Sequence, residues 1–281
     1  MFRKIAKKIL TKSPKAYAAV HTANFERNHK QNFSFLNEKE QKLLLEIQQN
    51  GFVVISDFFD KKSCDNCIQD MDWMYENKKE FVHQSDYADS RIFGAEELSE
   101  NIMKFANNDL LNKLANAYNA VPTSNGFTLA GKIEATGHEY GSGGSWHRDS
   151  YFRQFKSLLY LTDVTEENGP FQVVLASHDK KTISSDSKSA NLDSMQCTFN
   201  QETVEKIIGD EPDRLKTLTG KAGTVVLVDT STIHRGFPLK NGIRYALTNY
   251  FFENSQINSH LVEHFSPLVS PEKVLQKGNI N

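Results

Sequence analysis

From about residue 126 onward the chain becomes a succession of short segments suited to a sheet. These are FTLAGKIEAT (127–136), SLLYLTDV (157–164), PFQVVLA (170–176), TVVLVD (224–229) and RYALTNYFF (244–252). Each is rich in β-branched or aromatic residues, and Gly, Asn and Pro punctuate them. Strands at this density, without helices between most of them, predict a β-sandwich or barrel. The 19 phenylalanines suit the core of such a fold.

The first hundred residues read differently. LNEKEQKLLLEIQQN (36–50) predicts a helix with Asn37 as N-cap, Glu40 three residues later, and Gly51 as terminator. FVVIS (52–56) is a strand. Asp60 or Ser63 starts a second helix through CIQDMDWMYENKK, and residues 101–119 carry apolar side chains at helical spacing. The expected plan is mainly β with flanking α: a helical N-terminal layer over an antiparallel β-core. Residues 36–281 form one domain, preceded by a basic segment, 1–35. A polar stretch at about 179–220, with a short helix at QETVEKIIG, interrupts the strands as an insert or a lid.

With 33 basic and 35 acidic residues the chain has no cationic surplus pointing to nucleic acid. It contains no apolar run of the ~18 residues that a transmembrane helix needs. Arg3, Lys4, Lys7, Lys8, Lys12 and Lys15 alternate with Phe2, Ile5, Ile9 and Leu10. A short amphipathic helix of that kind rests on an anionic membrane surface or packs on its own domain. Residues 1–16 are thus a candidate membrane contact of an otherwise cytoplasmic protein, at the inner face of a membrane. Cys64 and Cys67 form a CxxC with no second CxxC or CxxH after it, so the pair reads as reduced thiols on a helix rather than half a zinc site. Cys197 reads as an ordinary thiol.

The chemistry sits in GSGGSWHRDSYF, residues 141–152. In a strand, residues i and i+2 point to one side, so His147 and Asp149 converge while Arg148 faces away. A third ligand must come from a strand that folds back, and His234, after TVVLVD, is the best placed. Two imidazoles and one carboxylate on one face of an octahedral ion suit a non-haem Fe(II) oxygenase. Arg244 follows ten residues later, and a guanidinium suits a carboxylate. A tight hairpin at Asn241-Gly242 would leave it ~16 Å along the strand from His234. A wide loop across residues 237–243, opened by Pro238, is therefore predicted, with Arg244 beside the His234 strand. Singly these signals are weak, and each residue has a structural alternative. Jointly they favour iron.

NGFVVISDFF, SWHRDSY, LYLTDVTEENGPFQVVLASH, DTSTIHRGFP and RYALTNYF occur in the order found in the phytanoyl-CoA dioxygenase family of Fe(II)/2-oxoglutarate oxygenases, and the chain resembles that family over residues 39–255. The resemblance implies a double-stranded β-helix, the cupin-like jelly roll. It maps His147, Asp149 and His234 onto the iron ligands and Arg244 onto the residue that binds the far carboxylate of 2-oxoglutarate. It suggests Lys132 as a further cosubstrate contact. Two positions depart from relatives: Gly236, where some carry Ser, and Leu158, where some carry Trp. Because related halogenases replace the carboxylate by Ala or Gly, the intact Asp149 implies hydroxylation or another C–H oxidation, with Fe(II), 2-oxoglutarate and O2 consumed and succinate and CO2 released.

Arg148, Tyr151 and Arg153 are candidate substrate contacts, with surface charge as the alternative for the two arginines. His178 is expected to order a turn. The basic N-terminus suggests a lipid-linked substrate such as an envelope glycolipid or polysaccharide precursor. The alternatives are a soluble hydroxylase of an amino acid or other small metabolite, a non-catalytic cupin-like binding module, and a zinc hydrolase. The last leaves Arg244 unexplained and has no placed general base.

Overall fold

A computed structural model of the protein describes residues 35–278, apart from 85–88, 136, 138–140, 194 and 266. The basic segment and its candidate membrane contact at 1–16 lie outside the described residues. No described helix is long and apolar enough to cross a membrane.

Local chemistry sets the helical layer. Asn37 and Glu40 form a reciprocal capping box on α1 (Glu38–Asn50), and Gly51 closes it with φ +87°. Asp60 caps α2 (Lys61–Asn77) by accepting from the Ser63 amide. The single helix expected at 101–119 is two, α3 (Glu100–Ala106) and α4 (Asp109–Asn119). Asn108 accepts from the Leu111 amide at 3.3 Å and so starts a new helix where the apolar period runs on. Cys64 and Cys67 are free thiols buried in α2, and burial pushes them up to about 11 and about 12.

The strands form two antiparallel sheets. The larger is ordered β1 (Phe52–Ile55), β10 (Val225–Asp229), β6 (Phe155–Tyr160), β12 (Ile243–Glu253), β4 (Thr123–Glu134), β3 (Asp89–Phe93), β2 (His83–Gln84). The smaller is ordered β8 (Thr198–Phe199), β5 (Trp146–His147), β11 (His234–Gly236), β7 (Phe171–Val174), β9 (Leu215–Leu218). This is the expected jelly roll, with α1–α4 covering the outer face of the larger sheet.

Period-two alternation sorts the larger sheet's side chains. Leu159, Leu227, Tyr245, Leu247 and Phe251 join Leu44, Met71, Phe105 and Leu114 in the core beneath the helices. Their strand neighbours face the smaller sheet: Lys156 and Leu158 on β6, Val228 on β10, Arg244, Ala246, Thr248 and Tyr250 on β12, and Leu129, Gly131 and Ile133 on β4. The cavity lies there, between the sheets.

Two expectations need correction. Residues 179–220, expected as a polar insert or lid with one short helix, also contribute strands. β8 zips onto β5, pairing Thr198 with His147, and β9 onto β7, pairing Leu218 with Phe171. α5 (Lys180–Ser189) precedes β8, and α6 (Gln201–Ile208) joins β8 to β9 and packs around Trp146 and Phe199, while a largely buried Asp186–Arg214 ion pair (2.9 Å) anchors the segment. Polar composition suggested an excursion, but the middle and the C-terminal end supply strands. Second, the connection 237–242 is wide as expected, yet Arg244 is not beside the His234 strand. It changes sheets, so Arg244 faces His234 across the sandwich.

Candidate metal centre and its cavity

His147 and His234 sit directly opposite one another on β5 and β11, their ring centroids 4.4 Å apart. Each is aimed by its own chain two residues back. His147 Nδ1 donates to the Ser145 carbonyl and His234 Nδ1 to the Thr232 carbonyl, both at 2.8 Å. That leaves each Nε2 with a free lone pair directed at the same space. Asp149 Oδ1 lies 3.5 Å from His147 Nε2 and 3.9 Å from His234 Nε2. The three ligand atoms fall within 4.8 Å of one another, as one bound ion requires. Asp149 is exposed as a residue at the cavity rim, but its side chain is only 23% so.

Electrostatics suit a cation. Burial alone would raise the Asp149 carboxyl, but Lys156 and the two imidazoles hold it well below the usual carboxylate range. Burial pushes His234 down to about 4, so it is a neutral ligand at pH 7.

The glycine-rich turn has a steric reason. A Cβ on Gly141 would lie 2.4 Å from the Gly236 carbonyl oxygen, and one on Gly236 would lie 2.5 Å from the Ser142 carbonyl oxygen. The two backbones touch, so the serine some relatives carry at Gly236 has no room here. Ser142 Oγ donates to the buried Asp89 carboxylate at 2.7 Å, which also accepts from Arg91 Nε at 2.6 Å. Those bonds tie the turn to β3.

The cavity has a volume of ≈ 170 Å³. Its walls include the three candidate ligands, Leu158, Phe171, Val228 and Arg244. Arg244 is 5% exposed, and its Nε and Nη1 have no hydrogen-bond partner among the described residues. The remaining candidates fall elsewhere. Lys132 has the opposite parity on β4. It pairs with Tyr245 in register and points under the helices, 3.3 Å from Glu134 and 4.0 Å from Asp72, so it is no cosubstrate contact. Arg148 is buried behind the site, donating to the Ser177 and Ser231 carbonyls, with its guanidinium over Phe199. Arg153 lies over Tyr118, near Asp229, and Tyr151 carries Lys180 on its ring. None of these three lines the cavity, so the substrate roles expected for them are withdrawn. His178, expected to order a turn, donates instead from Nε2 to the distant Gln48 carbonyl at 3.0 Å, near the end of α1.

Sequence reasoning missed Lys156. It donates to Asp149 Oδ2 at 2.6 Å from the opposite sheet, with Nζ 3.7 Å from the Tyr250 ring centroid. The available signal was a lysine inside the otherwise apolar strand FKSLLY, on the same parity as Leu158.

The family model "Phytanoyl-CoA dioxygenase (PhyH)" matches residues 47–244. Among curated proteins no match is found. Several solved structures share the fold. The non-heme alpha ketoglutarate dependent epimerase SnoN from nogalamycin biosynthesis aligns with TM-score 0.57 at 13% identity, over 77% of this chain and 83% of that one. EctD from S. alaskensis gives 0.59 at 15% identity over 78% of each chain. HygX from Streptomyces hygroscopicus, solved with nickel, 2-oxoglutarate and hygromycin B bound, gives 0.53 at 15% identity, over 77% and 87%.

Proposed function

Because this chain belongs to the phytanoyl-CoA dioxygenase family, and is thereby an Fe(II)/2-oxoglutarate-dependent oxygenase, we propose that His147, Asp149 and His234 hold the iron and that the enzyme hydroxylates a C–H bond of a small or lipid-linked substrate. The observation that carries the reading is Arg244. A buried guanidinium with two unpartnered donors, facing the same cavity as a two-His, one-carboxylate cluster, fits the far carboxylate of a dicarboxylic cosubstrate. A binding module without catalysis would have no use for both features.

Bound in this site, iron with 2-oxoglutarate and O2 supplies the oxidation: the substrate C–H becomes C–OH, and 2-oxoglutarate leaves as succinate and CO2. The protein's own contribution is geometric. The Ser145 and Thr232 carbonyls fix both imidazole tautomers. Asp149, kept ionised chiefly by Lys156, supplies the negative ligand. Arg244 orients the cosubstrate from the opposite sheet, while Leu158, Phe171 and Val228 keep water from the reacting end. SnoN, named as an epimerase, shows that the fold also serves reactions that transfer no hydroxyl. Incorporation of one ¹⁸O atom from ¹⁸O2 into product marks hydroxylation here.

The direct test is anaerobic. Fe(II) followed by 2-oxoglutarate should give the weak visible charge-transfer band of the chelate, and Arg244→Ala should weaken or abolish it. Folded, iron-loaded protein with no band refutes the reading. The membrane part of the proposal rests on residues 1–16. Their deletion should release the protein from anionic vesicles, and a full-length chain that does not sediment with such vesicles favours a soluble metabolite as substrate.

A further inference from the structure

Asp149 presents its two oxygens to different partners. Oδ1 faces both imidazole Nε2 atoms, and Oδ2 accepts from Lys156 Nζ at 2.6 Å. Lys156 is not a surface lysine that drifted into range. Its side chain is 8% exposed, its backbone is registered between β10 and β12 in the larger sheet, and its ammonium rests on the Tyr250 ring. Asp149 follows β5 of the smaller sheet, and its backbone is fixed by its amide, which donates at 3.0 Å to the carbonyl of Thr230, one residue past β10. The ion pair is therefore a staple across the sandwich. A buried ammonium is tolerated because this carboxylate compensates it.

The geometry points to Lys156 as a positioning residue that reserves Oδ2 and so confines Asp149 to one-oxygen ligation of the metal. The inference rests on the iron reading above. Its chemical sense is a count of positions. An octahedral ion held by two imidazoles and one carboxylate oxygen keeps three positions free. A 2-oxo acid chelate takes two, leaving one for O2. A carboxylate turned to bind through both oxygens would take that last position. To make that turn, Oδ2 would have to give up or weaken its bond to the Lys156 ammonium, which is anchored on β6 and against the Tyr250 ring.

Nitric oxide reads the last position without turnover, because it binds an open Fe(II) site and gives a high-spin EPR signal. Wild-type protein with Fe(II) and 2-oxoglutarate, kept anaerobic, should give that signal on NO addition. K156M, close in length and uncharged, should keep the charge-transfer band of the 2-oxoglutarate chelate but lose most of the NO signal. K156R, which retains a cationic donor, should restore NO binding. K156M that binds NO as the wild type does would overturn the assignment. So would K156M that melts normally but no longer holds Fe(II), since Lys156 would then serve metal capture and not denticity. Should K156M fail to fold, K156R decides alone: a folded K156R with the band but without the EPR signal overturns the assignment as well. A wild type without the charge-transfer band is a different failure, seen before any variant is made, and it sinks the iron reading itself.

Discussion

Replacing Arg244 by Met should make the apo-protein more stable and deaf to 2-oxoglutarate. In the folded chain the guanidinium is 5% exposed and keeps two donors, Nε and Nη1, without partners among the described residues. Each buried unsatisfied donor costs about 1–3 kcal/mol, so the pair costs about 2–6 kcal/mol. Met fills most of the same space without that cost. For a chain of this size each kcal/mol moves Tm by roughly 2–4 °C. A dicarboxylate that satisfies those donors returns the stability by mass action, about 2.7 kcal/mol at a hundredfold excess over Kd, or roughly 5–10 °C. Thermal melts with Mn(II) in place of Fe(II), with and without 2-oxoglutarate, test both halves. The wild type should rise with the cosubstrate, and R244M should start higher and stay put. An R244M apo-protein that melts below the wild type, or one that gains as much from 2-oxoglutarate, would refute the reasoning.

Asp149→Ala removes a ligand and strands the buried Lys156 ammonium, so it should lose the charge-transfer band and also about 3–5 kcal/mol of stability, read by urea unfolding. Gly236→Ala drives a Cβ to 2.5 Å from the Ser142 carbonyl oxygen, and should cost about 1–3 kcal/mol and lower Tm. Asp186→Ala takes the carboxylate from Arg214, whose side chain is 15% exposed and keeps its bond to the Ile207 carbonyl, and should cost about 1–3 kcal/mol in the same unfolding assay. Burial holds the His178 imidazole below its ordinary 6.5. As pH falls through that value the unfolded chain takes up a proton that the folded chain does not, so this group's contribution to stability is lost on acidification. His178→Gln should therefore narrow the difference in Tm between about pH 7.5 and about pH 5.5. An unchanged difference would remove His178 from the account.

Much of the fold was legible because it is written in local chemistry. Asn37, Glu40, Gly51 and Asp60 satisfy helix ends with groups a few residues away, so the sequence pattern and the hydrogen bonds are the same information. The helix break at Asn107-Asn108 was missed because the apolar period continues through it, and only the Asn108 side chain, bonded to the Leu111 amide, shows that it ends one helix and starts another. Residues 179–220 misled for the converse reason. Their polarity resembles a loop, while the strands they contribute at Thr198 and Leu215–Leu218 are too short to stand out.

At the site, the residue order alone shows that His147 and Asp149 lie two apart, that His234 follows a strand, and that an arginine comes ten residues on. These spacings bring ligands together because a strand repeats every two residues. What they cannot say is which face of a strand meets the cavity and which meets the helices. That is decided by the neighbours in the sheet, through register. Lys132 and Lys156 are both lysines inside strands, yet one is packed against Tyr245 under the helices and the other is bonded to Asp149 between the sheets. Arg244 likewise reaches the centre from across the sandwich and not from beside His234, because the chain changes sheets between them. The sheet assignment is a long-range property, set by which apolar face must be buried against which layer, and it emerges when the layers pack.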